Sequence, residues 1–345
     1  GMTDPLGQSQ VIPYLQGLSK KGLEFYLISC EKNTSFSKEF NTVNNLLSAG
    51  NIHWFPIAYT SRPLVLSTIY DVLKIKCKAK KLIRQNNITL VHCRSYIAAL
   101  IGLSMKNKSQ LKFIFDMRGF YADERVDGRI WSLKNPLYRI IYRYFKRKEK
   151  EFLKSADYII SLTENAKNEI LSWEITSAPI QVIPCCADLD FFSPQRVDEK
   201  IKNELREKLG VTKDSFVLSY LGSIGTWYML PEMLDFFKVL ISKKSNAVFL
   251  FITPELPGNI INTAISKGIP QNRLVITRAG RNEVPTLLSL SDISMFFIKP
   301  VFSKKASSPT KMGEIMGMGI PLICNAGIGD IDYFLGSESI VNAAD

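Results

Sequence analysis

The sequence predicts an α/β protein built as two doubly wound parallel-sheet domains with a cleft between them. Three observations carry this prediction. The chain has 345 residues, about twice the length of an ordinary domain. Its composition, 46% hydrophobic and 22% charged, is that of a globular protein and excludes a disordered or fibrous one. Short runs rich in Val, Ile, Leu and Phe alternate with helix-like segments, the rhythm of a parallel sheet covered on both faces.

In the first half, strands are expected at 23–29, 52–57, 89–93, 112–116 and 158–162, and helices at 9–20, 37–49, 67–85, 96–107, 135–154 and 164–172. The stretch 177–210, marked by Pro179, Pro184 and Pro194, reads as a linker. Domains are therefore expected at 1–180 and 181–345. The second half is more regular, with strands at 216–221, 247–253, 273–277, 293–298 and 321–324 and helices at 231–244, 259–267, 283–290 and 308–318. The chain opens on a loop at 3–8 with no strand before it and closes without a final helix. A first strand and a closing C-terminal segment are expected to be missing from it.

The formal net charge of +12 is unevenly placed. Residues 1–180 carry 27 basic and 15 acidic side chains, whereas the remainder carries 17 of each. Within the first half, Lys74, Lys76, Lys78, Lys80, Lys81 and Arg84 crowd the helix 67–85. Arg139, Arg143, Lys146, Arg147, Lys148 and Lys150 interleave with Tyr138, Ile140, Tyr142, Tyr144 and Phe145 on the helix 135–154. Basic amphipathic helices of this kind suit an anionic membrane surface, although a single one would read as a solvated face. No run of about 18 apolar residues reads as a membrane span. Six cysteines and two histidines show no metal-ligand spacing, so neither a zinc site nor a disulfide framework is expected.

The most specific motif is Ser308-Pro309-Thr310-Lys311-Met312-Gly313-Glu314. Ser308 is expected as N-cap and Pro309 as the first helical residue, which points free backbone N–H groups toward a bound diphosphate. Glu314, one turn further in, can accept hydrogen bonds from a ribose diol. The same spacing also fits a well-capped structural helix with Glu314 solvated. Gly222, Ser223 and Gly225 follow the strand 216–221, where glycines allow a phosphate or sugar to approach the backbone. They do not form G-x-G-x-x-G. Gly7 and Gln8 repeat a glycine turn before a helix in the first half. His92, Asp116 and Arg118 stand at strand ends, where open parallel sheets bind ligands. Asp188 and Asp190 spell D-x-D, read here as a turn.

These motifs together resemble glycosyltransferase family 4, the retaining GT-B enzymes. The resemblance runs along essentially the whole chain, through D-P-L-G-Q-S-Q from Asp4, F-D-M-R-G-F from Phe115, A-D-Y-I-I-S-L-T from Ala156, I-P-C-C-A-D from Ile183 and S-P-T-K-M-G-E from Ser308. It implies two Rossmann-like domains facing a cleft, donor binding mainly by the second domain, acceptor binding by the first, transfer with retention, and neither cofactor nor obligatory metal. The expected donor contacts are Gly222, Ser223, Gly225, Arg278, Ser308, Pro309, Thr310, Lys311 and Glu314, the expected acceptor-side loop is Gly7 and Gln8, and the expected catalytic residues are Asp116, Arg118 and His92, with Asp116 or Arg118 standing in for the histidine that the family often places after the fifth first-domain strand. Glu314 matches the second glutamate of the family's E-x7-E motif, and Ala306 stands where the first would be. The Arg and Lys that many members place after the first strand of the second domain are replaced by the loop from Gly222 to Tyr228.

The expected function is transfer of a sugar from a nucleoside diphosphate donor to a glycan or lipid-linked acceptor in cell-surface glycan synthesis. The expected location is the cytoplasm, peripherally on the inner membrane face, with the helices 67–85 and 135–154 on anionic lipid and no nucleic acid as partner. The alternatives are a sugar-nucleotide epimerase, for which clustered general bases are missing, and a non-enzymatic basic protein that binds nucleic acid or membrane. A nicotinamide oxidoreductase lacks its glycine fingerprint.

Overall fold

The computed structural model describes residues 1–63, 65–108, 111–335 and 340–341. Residues 336–339 and 342–345 of the expected second domain lie outside the described residues. Through residue 183 the elements are α1 (Pro5–Gln10), α2 (Ile12–Ser19), β1 (Phe25–Glu31), α3 (Asn33–Ser48), β2 (Ile52–Ala58), α4 (Leu66–Gln85), β3 (Leu90–Arg94), α5 (Ser95–Lys106), β4 (Lys112–Asp116), α6 (Tyr121–Asp127), α7 (Pro136–Ser155), β5 (Tyr158–Ser161), α8 (Glu164–Ser172) and β6 (Ile180–Val182). They continue as α9 (Glu199–Lys208), β7 (Phe216–Leu221), α10 (Leu230–Lys243), β8 (Ala247–Ile252), α11 (Pro257–Ser266), β9 (Leu274–Thr277), α12 (Val284–Leu288), β10 (Ile293–Phe296), α13 (Thr310–Gly317), β11 (Leu322–Asn325), α14 (Ile331–Leu335) and β12 (Ile340–Val341).

The chain divides into two compact units. The first comprises Gly1–Tyr121, Ile140–Ser161 and Glu169–Ile183. It holds a parallel sheet in the order β3-β4-β5-β6 and a separate parallel pair, β1-β2. Its core is aromatic: Phe113 and Phe115 on β4, Tyr96 on α5 and Phe152 on α7 are fully buried, with Phe115 and Phe152 centroids 5.3 Å apart. Each such ring contributes about 2–3 kcal/mol of burial. Glu31 is buried at the end of β1 and accepts hydrogen bonds from Met2 N at 2.7 Å, Thr3 N at 3.0 Å and Thr3 Oγ1 at 2.6 Å. Burial pushes its carboxyl pKa up, but these bonds and one from Ser29 outweigh burial and hold it below the ordinary value.

The second unit comprises Ala122–Arg139, Leu162–Asn168 and everything from Pro184. Its parallel sheet runs β12-β11-β10-β7-β8-β9, so the winding reverses between β7 and β10. Every residue of β8 is buried, as expected of a strand covered on both faces. The two early segments are tied in by named bonds. The Asp330 carboxylate accepts from Glu164 N at 2.7 Å and Asn165 N at 3.0 Å, at the start of α8. Lys304 Nζ lies 2.8 Å from Glu124 and 3.8 Å from the centroid of the Trp227 ring, which packs on the backbone at Gly128. Ser303 N donates to Asp127 at 3.0 Å. Gly329 sits so close to the chain that a Cβ would lie 1.9 Å from Ser307 O.

Three departures from the sequence reading have physical causes. The expected helix 9–20 is broken at Val11 (φ −124°), and Pro13 then stands in the first turn of α2, where its missing N–H costs nothing. The expected linker 177–210 contains β6 and also α9, whose start is capped by Asp198 accepting from Lys200 N at 2.8 Å and Ile201 N at 3.2 Å. The helix α6 follows β4 at once and was not expected.

Candidate functional site

In a doubly wound sheet, ligands bind beyond the carboxyl ends of the strands where the winding reverses. In the second unit that point lies between β7 and β10. There β7 delivers Gly222, whose φ of +103° favours glycine, followed by Ser223 and Gly225. Gly222 N donates to Ile252 O at 2.8 Å, and Tyr228, at the far end of the loop, bridges to Ile298 just past β10. Tyr220 Oη donates to Ser223 O at 2.7 Å, and Ser223 Oγ donates to Glu255 after β8. The loop is thus braced against both neighbouring strands.

The helix α13 enters the same place. Ser308 is not its N-cap: Pro309 holds that position (ψ 111°), and Ser308 Oγ accepts instead from Cys185 N at 3.0 Å. With its side chain engaged by Cys185 and Pro309 itself in extended backbone, Ser308 lies outside the helix. Thr310 becomes the first helical residue. One turn in, Glu314 is half-buried. Burial raises its carboxyl pKa, while Arg281 and Lys311 oppose that rise.

Lys311, one of the expected donor contacts, lies inside the protein and not on its surface. It is 8% exposed. Its Nζ donates to Tyr220 Oη at 3.1 Å and stands 4.2, 3.8 and 5.8 Å from the ring centroids of Tyr220, Tyr228 and Phe296. A Cβ on Gly222 would lie 3.2 Å from this Nζ. Burial brings the Lys311 pKa down to about 7, against a smaller upward pull from Glu314. Arg278 is exposed beyond β9, and Arg281 stacks over Phe191 with 5.1 Å to the centroid.

In the first unit, β3 and β4 lie side by side in register, with Arg94 opposite Asp116. Asp116 is buried at the end of β4; its Oδ2 is 3.3 Å from His92 Nε2 and its Oδ1 is 3.6 Å from Arg118 Nη1. The three residues singled out from sequence therefore form one group. Arg118 holds φ +55° and Ser95, after β3, φ +72°. Left-handed backbone in a non-glycine residue costs about 1 kcal/mol or more and gathers at functional sites. Gly7 has a packing reason of its own, since a Cβ there would lie 2.3 Å from Gly1 O; Gln8 Nε2 donates to Thr3 O at 3.3 Å.

Asp188 Oδ1 accepts from Asp190 N at 3.1 Å and Phe191 N at 3.0 Å, an Asx turn in the D-x-D stretch. Among the described residues, no three His, Cys, Asp or Glu side chains are grouped to hold a metal ion. On α4, Leu66, Ile69, Tyr70 and Leu73 line up at helical spacing and are 51–63% exposed, just before its run of lysines. On α7, Leu137, Ile140 and Tyr144 are exposed, while Lys146 and Lys148 pair with Glu149 and Glu151. Among the described residues, no helix is long and apolar enough to cross a membrane.

Residues 10–191, more than half of the chain, match the family model described as Glycosyltransferase Family 4. No curated protein matches the chain. Among solved structures, it is similar to sucrose-phosphate synthase from Thermosynechococcus elongatus, at 13% identity over 93% of this chain and 86% of that one, TM-score 0.66. It is similar to WaaG, a glycosyltransferase involved in lipopolysaccharide biosynthesis, at 14% identity over 92% and 85%, TM-score 0.61. It is also similar to HepE from Anabaena, solved with UDP and glucose, at 12% identity over 90% and 82%, TM-score 0.60. At these identities the likeness is one of fold, which is GT-B.

Proposed function

The chain belongs to glycosyltransferase family 4, and from that premise we propose that it is a retaining enzyme that transfers a sugar from a nucleoside diphosphate donor to a glycan or lipid-linked acceptor. The observation that carries this reading is the convergence of the Gly222 loop, Lys311 and Glu314 where the winding of the second sheet reverses. Glu314 would accept from the ribose diol. The diphosphate would lie against the loop at Gly222, Ser223 and Gly225 and the start of α13 at Ser308, Pro309 and Thr310, with Arg278 available beyond β9. That HepE is solved with UDP and glucose supports a nucleotide-sugar donor.

On this reading the departing diphosphate is stabilised by fixed N–H groups and a buried cation, with no metal ion and no cofactor required. Negative charge grows on the bridging oxygen as the bond to the anomeric carbon breaks. The acceptor hydroxyl attacks the same face and its proton passes to that departing oxygen, which gives retention. Asp116, Arg118 and His92 would orient the acceptor, Gly7 and Gln8 bordering it. The exposed apolar stripe of α4 and its lysines, with the outer face of α7, would rest on anionic lipid at the cytoplasmic side. The role of WaaG in lipopolysaccharide biosynthesis supports a cell-surface product.

Thermal denaturation with UDP, GDP, ADP, CDP and dTDP tests the donor half. One of them should raise the midpoint, and Glu314→Gln should weaken its affinity about 10- to 100-fold, the worth of one or two hydrogen bonds to a charged group. If none shifts the midpoint and Glu314→Gln changes nothing, the assignment fails.

A further inference from the structure

The surroundings of Lys311 are unusual for a group meant to meet a phosphate. Tyr220 reaches it from β7, Tyr228 from the loop after β7 and Phe296 from β10, and none of the three carries a negative charge at neutral pH. Burial pushes the Tyr220 phenol well above its ordinary pKa and that of Tyr228 to about 12. Glu314 follows three residues along the same helix, with Arg281 acting on it. Gly222 meets Nζ from another side and brings no side chain.

Resting on the nucleotide-sugar reading above, we propose that Gly222 is the opening through which the donor's diphosphate reaches Lys311, and that donor binding loads a proton onto this amine. The step is a simple protonation: the neutral amine takes one proton from solvent and becomes the ammonium that faces the diphosphate. Tyr220 and Tyr228 are positioning residues, holding the ammonium through their ring faces and the Tyr220 hydroxyl. Two observations bear on the glycine at position 222: its φ of +103°, and a Cβ position that would lie 3.2 Å from Nζ. With a pKa of about 7 in the free protein, the amine is mostly neutral at pH 8, so the arriving anion draws the proton in. At pH 8 the site therefore carries most of its positive charge only when the diphosphate is there to share it.

Isothermal titration calorimetry with the nucleoside diphosphate chosen by the thermal screen tests this on the wild-type protein. At pH 8, titrations in phosphate and in Tris should differ by the ionisation heat of nearly one proton taken up per ligand bound. Affinity should fall about 50-fold between pH 7 and pH 9. Lys311→Met should abolish the uptake, and Lys311→Arg should keep binding while making it independent of pH. Gly222→Ala should weaken binding at least tenfold. Binding with no buffer dependence in the wild-type protein would overturn the proton-loading step and leave the donor reading standing. Absence of any nucleoside diphosphate binding would overturn both.

Discussion

Replacing Lys311 by Met keeps the length of the side chain within its aromatic surroundings and removes the charge. A fall in pKa from the ordinary 10.5 to about 7 corresponds to roughly 5 kcal/mol of cost for the buried ammonium. Below pH 7 both folded and unfolded chains carry the proton, so the cost is fully present. As the pH rises from 7 to 10.5 the folded chain sheds the proton and the unfolded one keeps it, so the wild-type protein gains stability over this window. Lys311→Met should therefore be more stable than wild type by about 5 kcal/mol at pH 6, and most of the gap should close by about pH 10. Urea denaturation of both proteins at pH 6, 8 and 10, followed by tryptophan fluorescence, measures this difference with the other titrating groups common to both. A gap independent of pH, or a Met variant less stable at pH 6, would refute the reasoning.

Other perturbations read different parts of the molecule. Gly329→Ala should cost more than about 3 kcal/mol, because its methyl would fall 1.9 Å from Ser307 O on a backbone with φ +51°; an unchanged melting temperature would contradict the packing described. Asp330→Ala removes the acceptor of two N–H groups at the start of α8 and should cost about 1–2 kcal/mol in a denaturant melt. Ile69→Glu with Leu73→Glu should strip binding to phosphatidylserine vesicles in a sedimentation assay while leaving the melting temperature within a degree or two, since both side chains are exposed.

Much of the second sheet was legible because β8 is an uninterrupted apolar run of strand length and β7 is apolar but for Ser219, and the observed ends fall within a residue or so of those expected. The first helix breaks because Pro13 has no N–H to give the carbonyl four residues earlier and its ring crowds that carbonyl, and α13 starts late because Ser308 Oγ is held by Cys185 N. The helix α9 hid inside a stretch where prolines outweighed the Asp198 cap. His92, Asp116 and Arg118 were singled out by position alone, and the register of β3 with β4 is what brings them together. For Lys311 the needed signal was present but unread. Lys311 and Ile315 share the inner face of α13 at i, i+4 spacing, so a charge in that phase had to be buried. The roles of Asp330, Glu124 and Asp127 depend on partners more than a hundred residues away and leave no local trace.

The bonds made by Asp330, Lys304 and Ser303 govern how this protein can be taken apart. A fragment cut at residue 183 would deprive Lys304 of Glu124, Trp227 of the backbone at Gly128, and Asp330 of the two N–H groups it caps. The complementary fragment would carry residues 122–139 and 162–168 without those partners. During synthesis the same dependence makes the ribosome deliver Gly329 and Asp330 before residues 162–168 can settle, so the halves mature in an interleaved order. Recombinant work on the second unit is accordingly better served by point variants of the whole chain, or by co-expressing the two pieces, than by isolating either one.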